Sequence, residues 1–123
     1  DLKWMRFVLG QIISNGVKYH FRERKPQLVF SAVRVGRKVC LSISDNGIGM
    51  PPEDVERVFR KGFTGSNGRE YTKSTGIGLY LCDILCRKLG TKLSLTSVKG
   101  EGTVVSLEFL TAGEEGMKNI TKM

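Results

Sequence analysis

One carboxylate, one amide-bearing helix face and two short glycine motifs are the parts of this chain best placed to do chemistry. Asp45 opens Asp45-Asn46-Gly47-Ile48-Gly49-Met50 and ends an apolar row made of Val39, Leu41 and Ile43. A carboxylate there is costly to bury unless a donor pairs with it. Gln11, Asn15 and then Lys18 and Tyr19 follow one another at three or four residues, so they share one face of a helix. Gly76-Ile77-Gly78 precedes a second helical pattern; glycines at a helix start bare the amides, where partial positive charge favours phosphate. Between the glycine motifs, Arg60 to Thr75 is polar, contains Gly62, Gly65 and Gly68, and adds the cations Arg69 and Lys73. It is too polar for core and long enough to be a functional loop, expected to act as a lid that is mobile without a ligand.

These groups need elements to hold them. Met5, Val8, Leu9, Ile12, Gly16 and Val17 recur at helical spacing, which predicts an amphipathic helix from Leu2 to about Tyr19, with Asp1 as a candidate N-cap. From Gln27 to Val35 the apolar and β-branched residues alternate as in a strand, Gly36-Arg37 reads as a hairpin turn, and the return strand carries the row that ends at Asp45. Pro52 can start a short helix bearing Val55, Val58 and Phe59. Cys82, Leu85, Cys86 and Leu89 form the buried stripe of the second long helix, with Gly90 as its C-cap. Two strands follow, about residues 92–98 and 103–110, joined by Lys99-Gly100-Glu101-Gly102, with Thr103, Val105, Leu107 and Phe109 on one face. The expected fold class is α+β, a two-layer α/β sandwich in which a mixed β-sheet is covered by helices on one face, and the informative motifs fall between the layers. The domain should span residues 1–110, followed by a polar, frayed tail over 111–123.

Composition removes several function classes. The 123 residues are 40% hydrophobic and 26% charged, a globular balance for one domain, and no apolar run approaches the ~20 residues that span a bilayer. Three cysteines make no even framework, so a secreted disulfide scaffold is not indicated; a reducing compartment is. Cys82 and Cys86 lie one turn apart and His20 is the single histidine, which leaves a zinc site short of ligands. The net charge of +8 suits nucleic acid, a membrane surface or a polyphosphate. The cations, however, are spread along the chain with no single stripe or aromatic-interleaved motif, so no nucleic-acid partner is expected. Neither glycine motif is a Walker loop or a dinucleotide fingerprint, because no Gly-Lys-Ser/Thr follows and the third fingerprint glycine is absent.

Asn15 with Lys18-Tyr19, Asp45-Asn46-Gly47-Ile48-Gly49, Gly62-Phe63-Thr64-Gly65 and Thr75-Gly76-Ile77-Gly78-Leu79 resemble the N, G1, F and G2 boxes of histidine kinases, in that family's order. The resemblance covers roughly residues 1–110, and the string from Val58 through Cys82 is similar to kinases that sense bacitracin and other cell-wall-active peptides. It implies the Bergerat fold shared with gyrase, heat-shock chaperone and mismatch-repair ATPases. By the same resemblance, ATP would be bound by Asn15, Lys18, Tyr19, Asp45, Gly47, Gly49, Phe63, Arg69, Lys73, Thr75, Gly76, Ile77, Gly78, Leu79 and Thr103. Asp45 would accept the adenine amine with Thr103 in support, Asn15 would ligate Mg²⁺, and Lys18 would meet the phosphates as the second catalytic residue. Tyr19 would line the base or ribose, Arg69 and Lys73 would neutralise the γ-phosphate, and Phe63 would anchor the loop.

The resemblance further implies a phosphoryl-accepting histidine on a separate dimerisation domain, a response regulator that receives the group on an aspartate, and a full-length membrane homodimer carrying this domain on the cytoplasmic side. His20 lacks the neighbouring acidic residue of family acceptors and reads as a helix-end surface residue. Two departures stand out. Gly16 replaces the usual alanine and is expected to weaken the helix without touching the ligand face; Gln11 replaces an asparagine found in other branches, which leaves a second Mg²⁺ contact open. A non-catalytic nucleotide-binding module, an ATPase of the gyrase or chaperone kind and a basic nucleic-acid binder remain competing classes.

Overall fold

The computed structural model describes residues 2–60 and 78–111. Helix α1 (Leu2–Lys18) leads into the hairpin β1 (Leu28–Val35) and β2 (Lys38–Asp45). A short α2 (Pro52–Val55) and the helix α3 (Gly78–Leu89) precede a second hairpin, β3 (Lys92–Val98) and β4 (Gly102–Leu110). The sheet order is β1-β2-β4-β3. Asp1, the candidate N-cap, and the expected tail beyond Thr111 lie outside the described residues.

The sheet departs from expectation in one respect: every pairing among the described strands is antiparallel, so it is not mixed. Strands β2 and β3 run in the same direction, as a helical crossover between them requires, but β4 returns between them and pairs with both. The two-residue turn at Gly36-Arg37 forms as read, with positive φ at Gly36 alone, the pattern of a type II′ turn.

The register places the apolar rows side by side: Val39 faces Phe109, Leu41 faces Leu107, Ile43 faces Val105 and Asp45 faces Thr103. Val8 and Ile12 of α1 and Cys82 and Cys86 of α3 close over these rows, giving a core completed by Ile43, Val105 and Leu107. Val8, Cys82 and Leu107 are fully buried. Val17 is the exception in the expected stripe, being 45% exposed; it sits one residue past Gly16, about 100° around the helix from the sheet-facing side. Helix α3 ends as expected at Gly90, where Thr91 N–H donates to the Cys86 carbonyl (2.8 Å) and Gly90 N–H to that of Arg87 (3.3 Å), the paired bonds of a Schellman motif.

The first residue of the expected tail is packed. Thr111, expected to begin a frayed tail, is buried and exchanges hydrogen bonds with Arg37: its N–H and hydroxyl donate to the Arg37 carbonyl at 2.7 and 3.2 Å, and Arg37 Nε donates to the Thr111 carbonyl at 3.2 Å. The last strand is thereby tied to the β1–β2 turn, a contact that sequence polarity cannot reveal.

The cysteines behave as core. Burial pushes the Cys82 thiol up to about 12, with Cys86 adding to the effect, and burial followed by the Asp83 charge raises Cys86. Both therefore stay protonated and shielded at neutral pH. Brief alkylation of the native chain should modify the half-buried Cys40 and spare Cys82 and Cys86, as read by peptide mass spectrometry. Equal labelling of all three would contradict this packing.

Candidate functional site

Asp45 is the focus of the site because three elements converge on it. Its Oδ1 accepts the Gly47 N–H at 2.9 Å and the Thr103 N–H at 3.2 Å. Among the described residues no partner takes Oδ2. The carboxyl is half-buried, and that burial raises its pKa above the ordinary aspartate value, while the two backbone donors pull in the opposite direction and are outweighed. One oxygen is thus fixed by the fold, and the other keeps acceptor capacity that no described residue takes up.

The glycine-rich turn after Asp45 is wedged between protein backbones. A Cβ at Gly47 would run into the Tyr19 carbonyl and come within 2.9 Å of Asp45 Oδ1. The Tyr19 carbonyl also accepts the Ile48 N–H at 3.0 Å, so the end of α1 is seated on this turn. Gly49 has φ 67°, and a Cβ there would overlap the Val98 carbonyl. Both glycines are therefore required by close packing within the chain, a reason independent of any ligand. Asn46, for which the sequence suggested no role, clamps the chain entering β1: its Oδ1 accepts Gln27 N–H (2.9 Å) and its Nδ2 donates to the Lys25 carbonyl (3.1 Å).

Thr103 touches Asp45 through its backbone, while its hydroxyl is engaged by Ser97, Oγ to Oγ1 at 2.8 Å. Ser97 Oγ also accepts the Met50 N–H at 2.8 Å and donates to the Gly102 carbonyl at 3.0 Å. Sequence reasoning missed Ser97, because a serine in an alternating strand carries no distinguishing signal; its register opposite Thr103 is what gives it a place.

Gly16 requires a correction. It is buried, and a Cβ on it would lie 2.7 Å from Leu28 Cδ2 and 3.4 and 3.5 Å from Asp45 Cβ and Oδ2. It therefore borders the carboxylate that the sequence reading placed out of its reach, because the stripe that faces the sheet ends directly over the end of β2. On the neighbouring face of α1, Asn15 is half-buried, and none of the described hydrogen bonds or ion pairs involves its side chain. Lys18 Nζ stands 5.3 Å from the centroid of the Tyr19 ring. The Gln11 amide lies against the start of α3, with its Cδ 3.2 Å from where a Cβ of Gly78 would be. Leu79 follows, half-buried, on α3. His20 is at the helix end, Nδ1 2.8 Å from the Val17 carbonyl. Phe63, Arg69, Lys73, Thr75, Gly76 and Ile77, and with them the expected lid, lie outside the described residues.

Among the described residues no three of His, Cys, Asp and Glu come together as a metal site, and no helix is long and apolar enough to cross a membrane. A protein cage of carboxylates is not built there. Mg²⁺ held largely by phosphates and water needs only one or two protein oxygens, and the Asn15 amide, without a partner among the described hydrogen bonds, fits that requirement.

A helical layer covers this sheet, with an aspartate at the end of β2 and a glycine turn directly after it. Residues 1–113 match the histidine kinase-, DNA gyrase B- and HSP90-like ATPases, and the chain belongs to that family. It is 39% identical to the sensor histidine kinase YxdK of Bacillus subtilis (strain 168) over 111 residues, 90% of this chain and 34% of that protein. It is 38% identical to the sensor protein kinase GraS of Staphylococcus aureus (strain MRSA252) over 125 aligned positions, 100% of this chain and 35% of that protein. The chain thus spans about a third of the length of these curated relatives. In fold it is similar to the mycobacterial sensor histidine kinase MprB, with a TM-score of 0.75 at 19% identity over 89% of this chain and 72% of that one. Full-length ShkA in complex with AMPPNP gives a TM-score of 0.71 at 23% identity, covering 89% of this chain and 22% of that one.

Proposed function

We propose that this chain binds Mg-ATP and donates the γ-phosphoryl group to a histidine on a separate dimerisation domain of a two-component sensor histidine kinase, for relay to a response-regulator aspartate. The observation that carries this reading is the divided carboxylate of Asp45. With Oδ1 held by Gly47 and Thr103, Oδ2 is a preset acceptor, and the amine of adenine is a donor that guanine does not present at that position.

In this reading Asn15 supplies an amide oxygen to Mg²⁺, which would neutralise phosphate charge. Lys18 adds a cation one turn further along α1, and Tyr19 lines the base or ribose. By the family resemblance, Gly76 and Gly78 would offer amides to the phosphates, and Arg69 and Lys73 would meet the γ-phosphate. The chain's contribution is placement and charge. In the transfer, the lone pair of the acceptor imidazole nitrogen forms the new P–N bond while the bond from γ-phosphorus to the β–γ bridging oxygen breaks, and ADP leaves with that electron pair. The acceptor would belong to another domain, since His20 lacks the neighbouring acidic residue that family acceptors carry. The whole protein would be a membrane homodimer with this domain in the cytoplasm, and nucleic acid has no part in the scheme.

Calorimetric titration with and without Mg²⁺ tests the metal's place. Mg²⁺ should tighten ATP binding to the unaltered chain, and Asn15→Ala should remove about 1 kcal/mol of that gain, leaving the affinity in EDTA unchanged. A variant that keeps the whole Mg²⁺ gain would make Asn15 an ordinary helix residue.

A further inference from the structure

We infer that Ser97 is a specificity-determining residue of the base end, acting through Thr103 to make it select a ligand that donates hydrogen there. The inference rests on the ATP reading above and concerns which way one proton points. Ser97 makes three polar contacts with a single proton: the Met50 N–H donates to it, it reaches the Gly102 carbonyl at 3.0 Å, and it meets Thr103 Oγ1 at 2.8 Å. A carbonyl can only accept, whereas a threonine hydroxyl can donate or accept. All three contacts are satisfied together in one arrangement only, in which Ser97 gives its proton to Gly102 and Thr103 gives its own to Ser97.

The consequence falls on the free side of Thr103. With its proton committed, Oγ1 has only lone pairs left, and it stands in register with Asp45, whose Oδ2 is also an acceptor. Among the described residues, Asp45 Oδ2 and Thr103 Oγ1 then both present acceptors at this end of the site. Where both face the base 6-position, a 6-amino purine meets them with the protons of its amine, directly or across one water, while a 6-oxo purine brings a carbonyl lone pair against them and carries its edge proton one atom away, on the ring nitrogen. Without Ser97, the Thr103 hydroxyl is free to turn and donate, which removes part of the penalty on the 6-oxo base. Ser97 touches no ligand in this scheme; it sets the donor direction of the residue that does.

The test measures the affinities of the 123-residue chain for Mg-ATP and Mg-inosine triphosphate by calorimetry, because these differ at the base 6-position and the adjoining ring nitrogen. The unaltered chain should prefer ATP. Ser97→Ala should reduce that preference by roughly three- to tenfold, the range of one hydrogen bond, through weaker ATP binding together with stronger inosine triphosphate binding. Ser97→Thr, which restores a hydroxyl, should restore the preference. A merely structural role would weaken both nucleotides alike and leave the ratio unmoved, and that result overturns the inference while leaving the ATP reading intact. Should Ser97→Ala not fold, Thr103→Val replaces it: the same loss of preference is expected, and an unchanged ratio overturns the inference. An unaltered chain that binds neither nucleotide overturns the ATP reading itself.

Discussion

Asp45→Asn should lose most ATP affinity while leaving the fold intact. The asparagine keeps an oxygen to accept the Gly47 and Thr103 N–H groups, so the turn stays paired. Its second atom becomes an NH₂ facing the adenine amine, donor against donor, and the loss should be about 1 to 3 kcal/mol, or roughly 5- to 150-fold. Asp45→Ala should lose as much affinity but also stability, since both backbone donors are left without a partner. The pH dependence separates binding from folding. Because burial raises the folded-state pKa of Asp45, the native state holds the proton more tightly than the unfolded chain does. Its contribution to stability is fully present below the unfolded pKa and is lost as pH rises through the raised folded value. Binding through an ionised Oδ2 has the opposite sign, weakening as pH falls through that same value. Asp45→Asn should flatten the stability component. A folded Asp45→Asn chain with undiminished ATP affinity would remove base recognition from this residue.

Gly49→Ala should be strongly destabilising. The residue has φ 67°, where a side chain costs about 1 to 2 kcal/mol, and the added Cβ would overlap the Val98 carbonyl and lie 2.7 Å from its carbon and 3.1 Å from Lys99 Cα. Those neighbours are backbone and cannot turn aside. The same turn is pinned by the Gly100 N–H donating to the Ile48 carbonyl at 2.7 Å and by the Met50 N–H on Ser97, so it has no room to retreat. The expected loss in urea unfolding is about 3 to 5 kcal/mol. Gly10→Ala supplies the contrast: it lies within α1, an added Cβ would meet no other side chain or strand within 4 Å, and alanine there should stabilise by about 0.5 to 1 kcal/mol. If Gly49→Ala unfolds at the same urea concentration as the unaltered chain, the seating of this turn on the β3–β4 hairpin is wrong.

The elements were legible in the sequence because their periods are strong: α1 from its i, i+4 stripe, and β2 and β4 from alternation, which put Asp45 at the end of one apolar row and Thr103 at the start of another, while their pairing is seen only in the sheet. What could not be read depends on neighbours distant in sequence. Strand order is one case, since nothing in β4 announces that it pairs with β2 as well as β3. Gly16 is another: helical period puts it on the buried side but does not say that Leu28 and Asp45 lie beneath it. Ser97 and Asn46 look like ordinary polar residues until their partners at Thr103, Met50, Lys25 and Gln27 are known. Gly47 and Gly49 were recognised as special, yet the structure gives a packing reason for each that a motif alone does not contain.

Base selection is the most direct measurement of what the site is for. In a calorimetric titration of the unaltered chain, Mg-ATP should bind with one-to-one stoichiometry, and Mg-GTP should bind at least about tenfold more weakly, since Asp45 Oδ2 would face a carbonyl where it requires a donor. Equal affinity for the two nucleotides, or no binding of ATP by the folded chain, would contradict adenine recognition by Asp45 and with it the function proposed for this domain.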